Sequence, residues 1–204
     1  MGKWKGGYCD MKAILLSVQP EWVAKILNGE KTIELRKSVP QGFVFVGWVY
    51  IYCTKGKPYL YRLPTEHLEW FTSDNIPFGW VINKQSNFNG KVVARFWLKN
   101  IDSLYPNTLS NYLQELNEIL CERACLTNNQ MLDYSKGKQL YAWHIKSLEI
   151  FDKPMELGEF GSDYVVTHSN VEDYGDYVVP TWEEEPINPL TRAPQSWQYV
   201  WVKE

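Results

Sequence analysis

Apolar and polar positions alternate along this chain in short runs, separated by glycine, proline and asparagine. Ala13 to Val18 (AILLSV) is an apolar run of strand length and reads as a buried strand. Pro20 suits a first helical position, where its missing N–H leaves nothing unsatisfied. Trp22, Val23, Ile26 and Leu27 then fall on one helical face, and Asn28-Gly29 stops the helix. Lys31 to Arg36 alternates as a half-buried strand, with Ile33 and Leu35 on one face and Thr32, Glu34 and Arg36 on the other. Phe43 to Cys53 (FVFVGWVYIYC) is the strongest strand pattern, and Lys91 to Leu98 (KVVARFWL) is another alternating strand.

Further on the period changes. Leu109, Tyr112, Leu113, Leu116, Ile119 and Leu120 predict a helix over 108–123, and Thr127 caps a second helix running to Tyr134. Gln139 to Phe151 is a strand or a bent strand pair, and Ser196 to Val202 closes the chain as a strand. Residues 54–90 are rich in Gly, Pro and Asn, with a strand at Tyr59–Arg62 and a short helix near Glu66–Phe71. Residues 155–195 are acidic and proline-rich and read as a solvated loop.

Strands outnumber helices and reach both ends of the chain, so the expected class is mixed α+β and strand-rich. Residues 1–10 are a polar lead-in, and 11–204 form one domain whose last strand pairs with early ones. A small β-barrel with peripheral helices is the expected architecture, because closure removes exposed sheet edges.

Composition and charge sharpen this picture. The chain has 204 residues, and its 10 Trp, 13 Tyr and 8 Phe suit a strand-rich core or a stacking surface. A net charge of −3 excludes a bulk-basic nucleic-acid binder. Nine acids lie between Met155 and Pro186 with no Lys or Arg among them, which leaves 21 cations against 15 acids elsewhere. A basic body with an acidic flap follows, and the flap is either solvated or a dock for a partner. No apolar run is long enough to span a bilayer, so no membrane role is expected. Cys9, Cys53, Cys121 and Cys125 lack C-x-x-C spacing, and His67, His144 and His168 are scattered. Reduced thiols in a cytoplasmic protein, with no metal or cofactor, are expected.

The chemistry concentrates in Asn28-Gly-Glu-Lys-Thr-Ile-Glu-Leu-Arg36. Facing solvent, Glu34 and Arg36 would be a surface ion pair worth about 0–1 kcal/mol. Facing a cleft, Arg36 offers a planar fork for phosphate or a base edge, Lys31 a point charge, and Glu34 an acceptor for amino groups or a general base. Lys31 and Glu34 lie on opposite faces of a regular strand. They share a cleft only if Lys31 sits in the turn or the strand is bulged. Ser17 reads as a cap for the following helix.

Leu16-Ser-Val-Gln-Pro20 and Gly29-Glu-Lys-Thr-Ile-Glu-Leu-Arg36 together resemble the signature of the ASCH domain, a branch of the PUA-like superfamily. Gly90-Lys-Val-Val-Ala94, Tyr141-Ala-Trp-His-Ile145, Phe151-Asp-Lys-Pro154 and Arg192-Ala-Pro-Gln-Ser-Trp197 resemble its later motifs, in order. Residues 55–89 and 158–190 fall outside the matches and look like insertions. The resemblance implies a PUA-like barrel whose cleft receives Lys31, Thr32, Glu34 and Arg36, with RNA or a modified nucleotide as ligand. Tyr141 and His144 would stack on or bond to a base, while Trp143 packs. Gln195 and Ser196 would contact the ligand beside Trp197.

Two other functions stay open. A branch of the family resembles amidohydrolases of N4-acetylcytidine that use a Lys, a Thr and a Glu. Aligned on the glycine turn, that Lys falls on Lys31 and that Thr on Glu34; Thr32 is two residues early, about 7 Å along the strand. No acid stands in 91–98 to match the Glu. An amidohydrolase or ribonuclease would therefore rest on Lys31 and Glu34. Alternatively, the acidic segment 156–185 is a protein-interaction module. Gln19 stands where many relatives carry a basic residue.

Overall fold

In a computed structural model the described residues are 12–40, 47–55, 60–62, 80–82, 89–173 and 178–202. The lead-in, the first four residues of the 43–53 strand and the helix expected near 66–71 lie outside them. The class is mixed α+β and strand-rich.

β1 (Lys12–Val18) leads into α1 (Pro20–Leu27), then β2 (Ile33–Arg36) and β3 (Gly47–Cys53). Two short strands, β4 (Leu60–Arg62) and β5 (Trp80–Ile82), pair with each other. β6 (Val92–Leu98) and β7 (Ile101–Leu104) precede α2 (Asn111–Arg123) and α3 (Asn128–Ser135). β8 (Leu140–His144), β9 (Lys146–Met155), β10 (Phe160–Asp173), β11 (Val178–Pro189) and β12 (Trp197–Val202) complete the order. Seven strands form one sheet in the order β11-β10-β12-β1-β3-β6-β9, and β2-β8-β7 form a second. Among the described residues no ladder joins the ends of either sheet, so the pairing by itself does not show a closed barrel.

Three apolar clusters hold these layers together. Ile14, Leu16, Val49, Ile51 and Phe96 on one face of the large sheet pack with α1 and with Trp143 of β8. Ala13, Leu15, Tyr50, Phe160 and Val200 fill the opposite face. Ile33, Leu35 and Ala142 of the small sheet meet Leu120, Cys121 and Met131 from α2 and α3. β2 is thus covered on both faces, and all four of its residues are buried, not half-buried as the alternation predicts.

Other expectations also need correcting. The 139–151 segment is two strands in different sheets, with Ile145 between them. The helix expected from 108 starts at Asn111, and its apolar positions Leu109, Tyr112 and Ile119 face solvent at 95%, 72% and 54% exposure. The acidic segment is not a loop. β10 and β11 pair along it as a long antiparallel hairpin. Pro180, Pro186 and Pro189 misdirect a strand reading, yet all three lie on β11, an edge strand. Edge strands are where a sheet tolerates proline. No helix of the described residues is long and apolar enough to cross a membrane.

Candidate functional site

β1 and β3 run parallel, and the chain leaves both at the same end, at Val18 and Cys53. α1 ends there too. Gly29, at φ +74°, reverses the chain, and the N–H groups of Glu30 and Lys31 both donate to Lys25 O, at 2.9 and 3.0 Å. This places Lys31 in the turn, two residues before β2 begins. The turn is what lets Lys31 meet Glu34 despite their odd spacing.

Lys31 is 3% exposed, Glu34 7% and Arg36 8%. Lys31 Nζ donates to Ala124 O at 2.7 Å and lies 3.2 Å from Glu34 Oε2. Arg36 Nη2 pairs with Glu34 Oε1 at 2.9 Å and donates to Ser17 O at 2.7 Å. Glu34 is therefore held between two cations, and each cation is anchored on a backbone carbonyl. The set is incomplete: the Lys31 approach lacks hydrogen-bond geometry, so Glu34 Oε2 has no donor, and Arg36 Nε has no acceptor. Buried polar atoms of this kind call for an explanation.

The triad forms one wall of a cavity of about 1030 Å³. Lys37 and Lys55 also line it, so among the described residues four cations and a single carboxylate line the space. Gly90, at φ +79°, fits closely behind Lys55; a Cβ there would meet Lys55 Cε at 2.7 Å. Trp22 brings an aromatic wall, with Lys25 Nζ 5.3 Å and Lys31 Nζ 5.2 Å from its ring centre. Tyr134 adds another ring, with Lys37 Nζ 4.7 Å from its centre. Burial pushes the Tyr52 and Tyr134 phenols up, so both lining hydroxyls stay protonated and can donate.

Gln195 and Ser196 line the cavity, tied down by Ser17, whose Oγ donates to Pro194 O at 2.7 Å and whose N–H donates to Ser196 O at 2.9 Å. Ser17 does not cap α1. Gln19 is the N-cap residue, and it makes no side-chain cap bond. Three expected residues stand apart from the cavity lining. Thr32 Oγ1 accepts from Arg123 Nε at 3.3 Å. His144 lies beside Ile33 in the ladder, on the other face of the small sheet, and binds Asp102 Oδ2 through Nε2 at 2.7 Å. Tyr141 lies opposite Arg36 and packs against the core. Trp143 is buried opposite Glu34, and its Nε1 also lacks a partner.

The sequence reading missed Trp22, Tyr52, Lys37, Lys55 and Tyr134 as lining residues. Only the parallel pairing of β1 with β3 brings the 52–55 segment to Ser17, and no local pattern encodes it. Chemically the lining favours an anion that also offers an N–H to Glu34. Among the described residues no group of three His, Cys, Asp or Glu side chains could hold a metal ion.

No protein-family model matches the chain, and no curated protein matches it. Among solved structures the chain is similar to an ASCH protein from Zymomonas mobilis, at 16% identity over 94% of this chain and 88% of that one, with a TM-score of 0.50. Two point variants of that protein align at 18% and 16% identity, over 71% and 97% of this chain and 76% and 92% of theirs, with TM-scores of 0.42 and 0.44. The likeness to the first of these is one of fold, and the fold is that of ASCH domains.

Proposed function

We propose that the cavity binds RNA or a nucleotide-like ligand, with Arg36, Lys37 and Lys55 meeting phosphate and Glu34 accepting from an amino edge of the base. Support comes chiefly from the buried triad: Lys31, Glu34 and Arg36 line the cavity, and Glu34 Oε2 and Arg36 Nε have no hydrogen-bond partner. An ion cluster kept for stability alone would be expected to satisfy its own atoms, because unpaired buried charge is costly. The cavity volume stands at the upper end of small-molecule sites, enough for a nucleotide. Rings from Trp22 and Tyr134 offer stacking surfaces. In this reading residues 11–204 are one PUA-like barrel domain acting in the cytoplasm, where Cys53, Cys121 and Cys125 remain free thiols.

The ASCH resemblance points the same way, since RNA binding is the usual task of PUA-like domains. No specific observation favours the hydrolase reading. Lys31 is committed to a backbone carbonyl and to Glu34, and so is not a free amine. The interaction reading of segment 156–185 likewise has only its charge behind it.

The test uses two residues that folding does not need. Lys37 is exposed, and Lys55 is exposed at the cavity rim. Lys37→Gln and Lys55→Gln should each weaken binding of a short RNA and lower the slope of log affinity against log salt by about 1. If wild-type protein binds no RNA, DNA or nucleotide at low salt, the proposal is lost.

A further inference from the structure

We propose that α2 carries a self-docking face, on which a second copy of this chain lies antiparallel to form a weak dimer. No α2 residue lines the cavity, so the inference does not depend on what the cavity binds.

The face begins with helix periodicity. Tyr112, Leu116 and Ile119 follow at spacings of four and three, so they stand on one side of α2. Tyr112 and Ile119 are exposed, and Leu116 is half-buried against the core below. Leu109, just ahead of the N-cap Ser110, extends the apolar surface beyond the start of the helix. The core side of α2 is a different one, carrying Asn117, Leu120 and Cys121. The stripe is therefore a shoulder in water and not the rim of the buried face. Apolar side chains exposed singly are ordinary, whereas a contiguous exposed stripe marks a surface that something covers. Glu115, Glu118 and Glu122 are exposed along its outer flank, farthest from the core.

Charge and register choose the occupant. The acids begin in mid-helix and run to its C-terminal end, where the helix dipole is negative and a carboxylate is least favoured. The positive end is the one left bare: Ser110 makes no side-chain cap bond, and the first turn holds no acid. An antiparallel copy answers both faults. With Leu116 near a twofold axis, Tyr112 meets the partner's Ile119, and Glu122 comes beside the first turn of the partner helix. A parallel copy would set acid against acid along the whole flank. Arg123, the one cation of α2, is engaged with Thr32 and supplies no counter-charge. The antiparallel contact is isologous and closes at two copies, the commonest symmetry of soluble oligomers. From Tyr112 to Ile119 is about 10 Å, and the whole helix is about 20 Å long. A contact this short buries less than the roughly 1,200 Å² of a standard interface, so the pair is weak, with a Kd of about 100 μM.

Sedimentation equilibrium of the full chain between about 5 and 500 μM tests this, with monomer expected at the low end and mostly dimer at the high end. Tyr112→Gln and Ile119→Gln should each weaken the pair about tenfold or more, while thermal unfolding at about 5 μM stays unchanged. Glu122→Gln, which touches no packing, should weaken it about threefold at low salt and less at high salt. The direction is read by mixing Tyr112→Cys protein with Ile119→Cys protein under mild oxidation. The mixture should form a disulfide-linked dimer, and neither variant alone should do so beyond the wild-type background. Wild type that remains monomeric at 500 μM overturns the proposal, and so does a dimer that both glutamine variants retain. Each cysteine variant linking to itself in preference to the other overturns the antiparallel register. Monomeric wild type that binds a synthetic helix of leucines and lysines, with loss in both glutamine variants, excludes the second copy and gives the face to a cationic partner.

Discussion

Around the start of β12 a triad of charges, Lys31, Glu34 and Arg36, is buried, and its two cations are anchored on backbone carbonyls. Beyond its end, on β10 and β11, acids are many and stand on a two-stranded arm. The contrast follows from solvent. Two unit charges 4 Å apart interact by about 1 kcal/mol in water and about 4 kcal/mol near a protein surface of effective dielectric 20. In the buried triad each charge needs a partner, and its position is fixed by that need. On the hairpin Asp163 is exposed and screened by water, and acids and prolines along an edge strand do another kind of work: they discourage pairing with other chains.

The widest gap in stability should appear when a charge is removed from each region. Glu34→Ala leaves Lys31 and Arg36 buried side by side without their counter-ion. The expected loss is about 3–5 kcal/mol. Asp163→Asn, on an exposed hairpin residue, should stay within about 0.5 kcal/mol. Urea unfolding of both variants measures the difference. Equal losses would mean that the two regions do not treat charge differently.

A second variant asks whether the arm and the cavity are mechanically separate. Gly161 pairs with both Pro189 and Trp201 at the root of the hairpin. A Cβ there would run into the Ile187 backbone, with Ile187 N only 2.8 Å away. Because backbone cannot swing aside, Gly161→Ala should cost about 1–3 kcal/mol and open the hairpin to limited proteolysis. Binding in the cavity should be unchanged. A matching loss of affinity would show that the arm supports the site.

The sequence spoke clearly wherever local rules decide. The first strand, the proline-started helix and its glycine stop follow from residues within one turn of each other. The Thr127 cap is equally local, and it forms as a full capping box with Gln130. Residues joined across the chain were harder to read. Lys31 meets Ala124 across 93 positions, and Ser17 meets Pro194 across 177. The hairpin was missed for another reason. Proline and consecutive glutamates score against a strand, yet an edge strand tolerates both, and edge position is a property of the whole sheet. The exposed apolar positions of α2 show the converse: a helical period predicted a helix but not which of its sides is covered.

That capping box provides a smaller test. α3 carries Gln130 and Tyr134 into the cavity lining, and Thr127 Oγ1 accepts from Gln130 N at 3.2 Å. Thr127→Ala should cost about 1 kcal/mol and loosen that wall. Thermal unfolding together with ligand affinity should move in the same direction. Stability that falls while affinity holds would place α3 outside the functional wall.

The smallest effect separates the two regions by pH. Cys53 is fully buried at the end of β3, and burial pushes its thiol well above the ordinary value near 9. With a folded value raised, this thiol contributes no pH dependence below 9, where both states hold the proton. As pH rises through 9 the unfolded chain ionises and the folded one does not, so stability falls. From pH 8.5 to 9.5 the loss is about 0.7 kcal/mol for one such group. Urea unfolding at both pH values should show this slope in wild type and a shallower one in Cys53→Ala. Alkylation should parallel it, with the half-buried Cys125 reacting in the folded protein and Cys53 only after unfolding. An identical slope in Cys53→Ala would assign the alkaline loss to other groups and remove the thiol from the comparison.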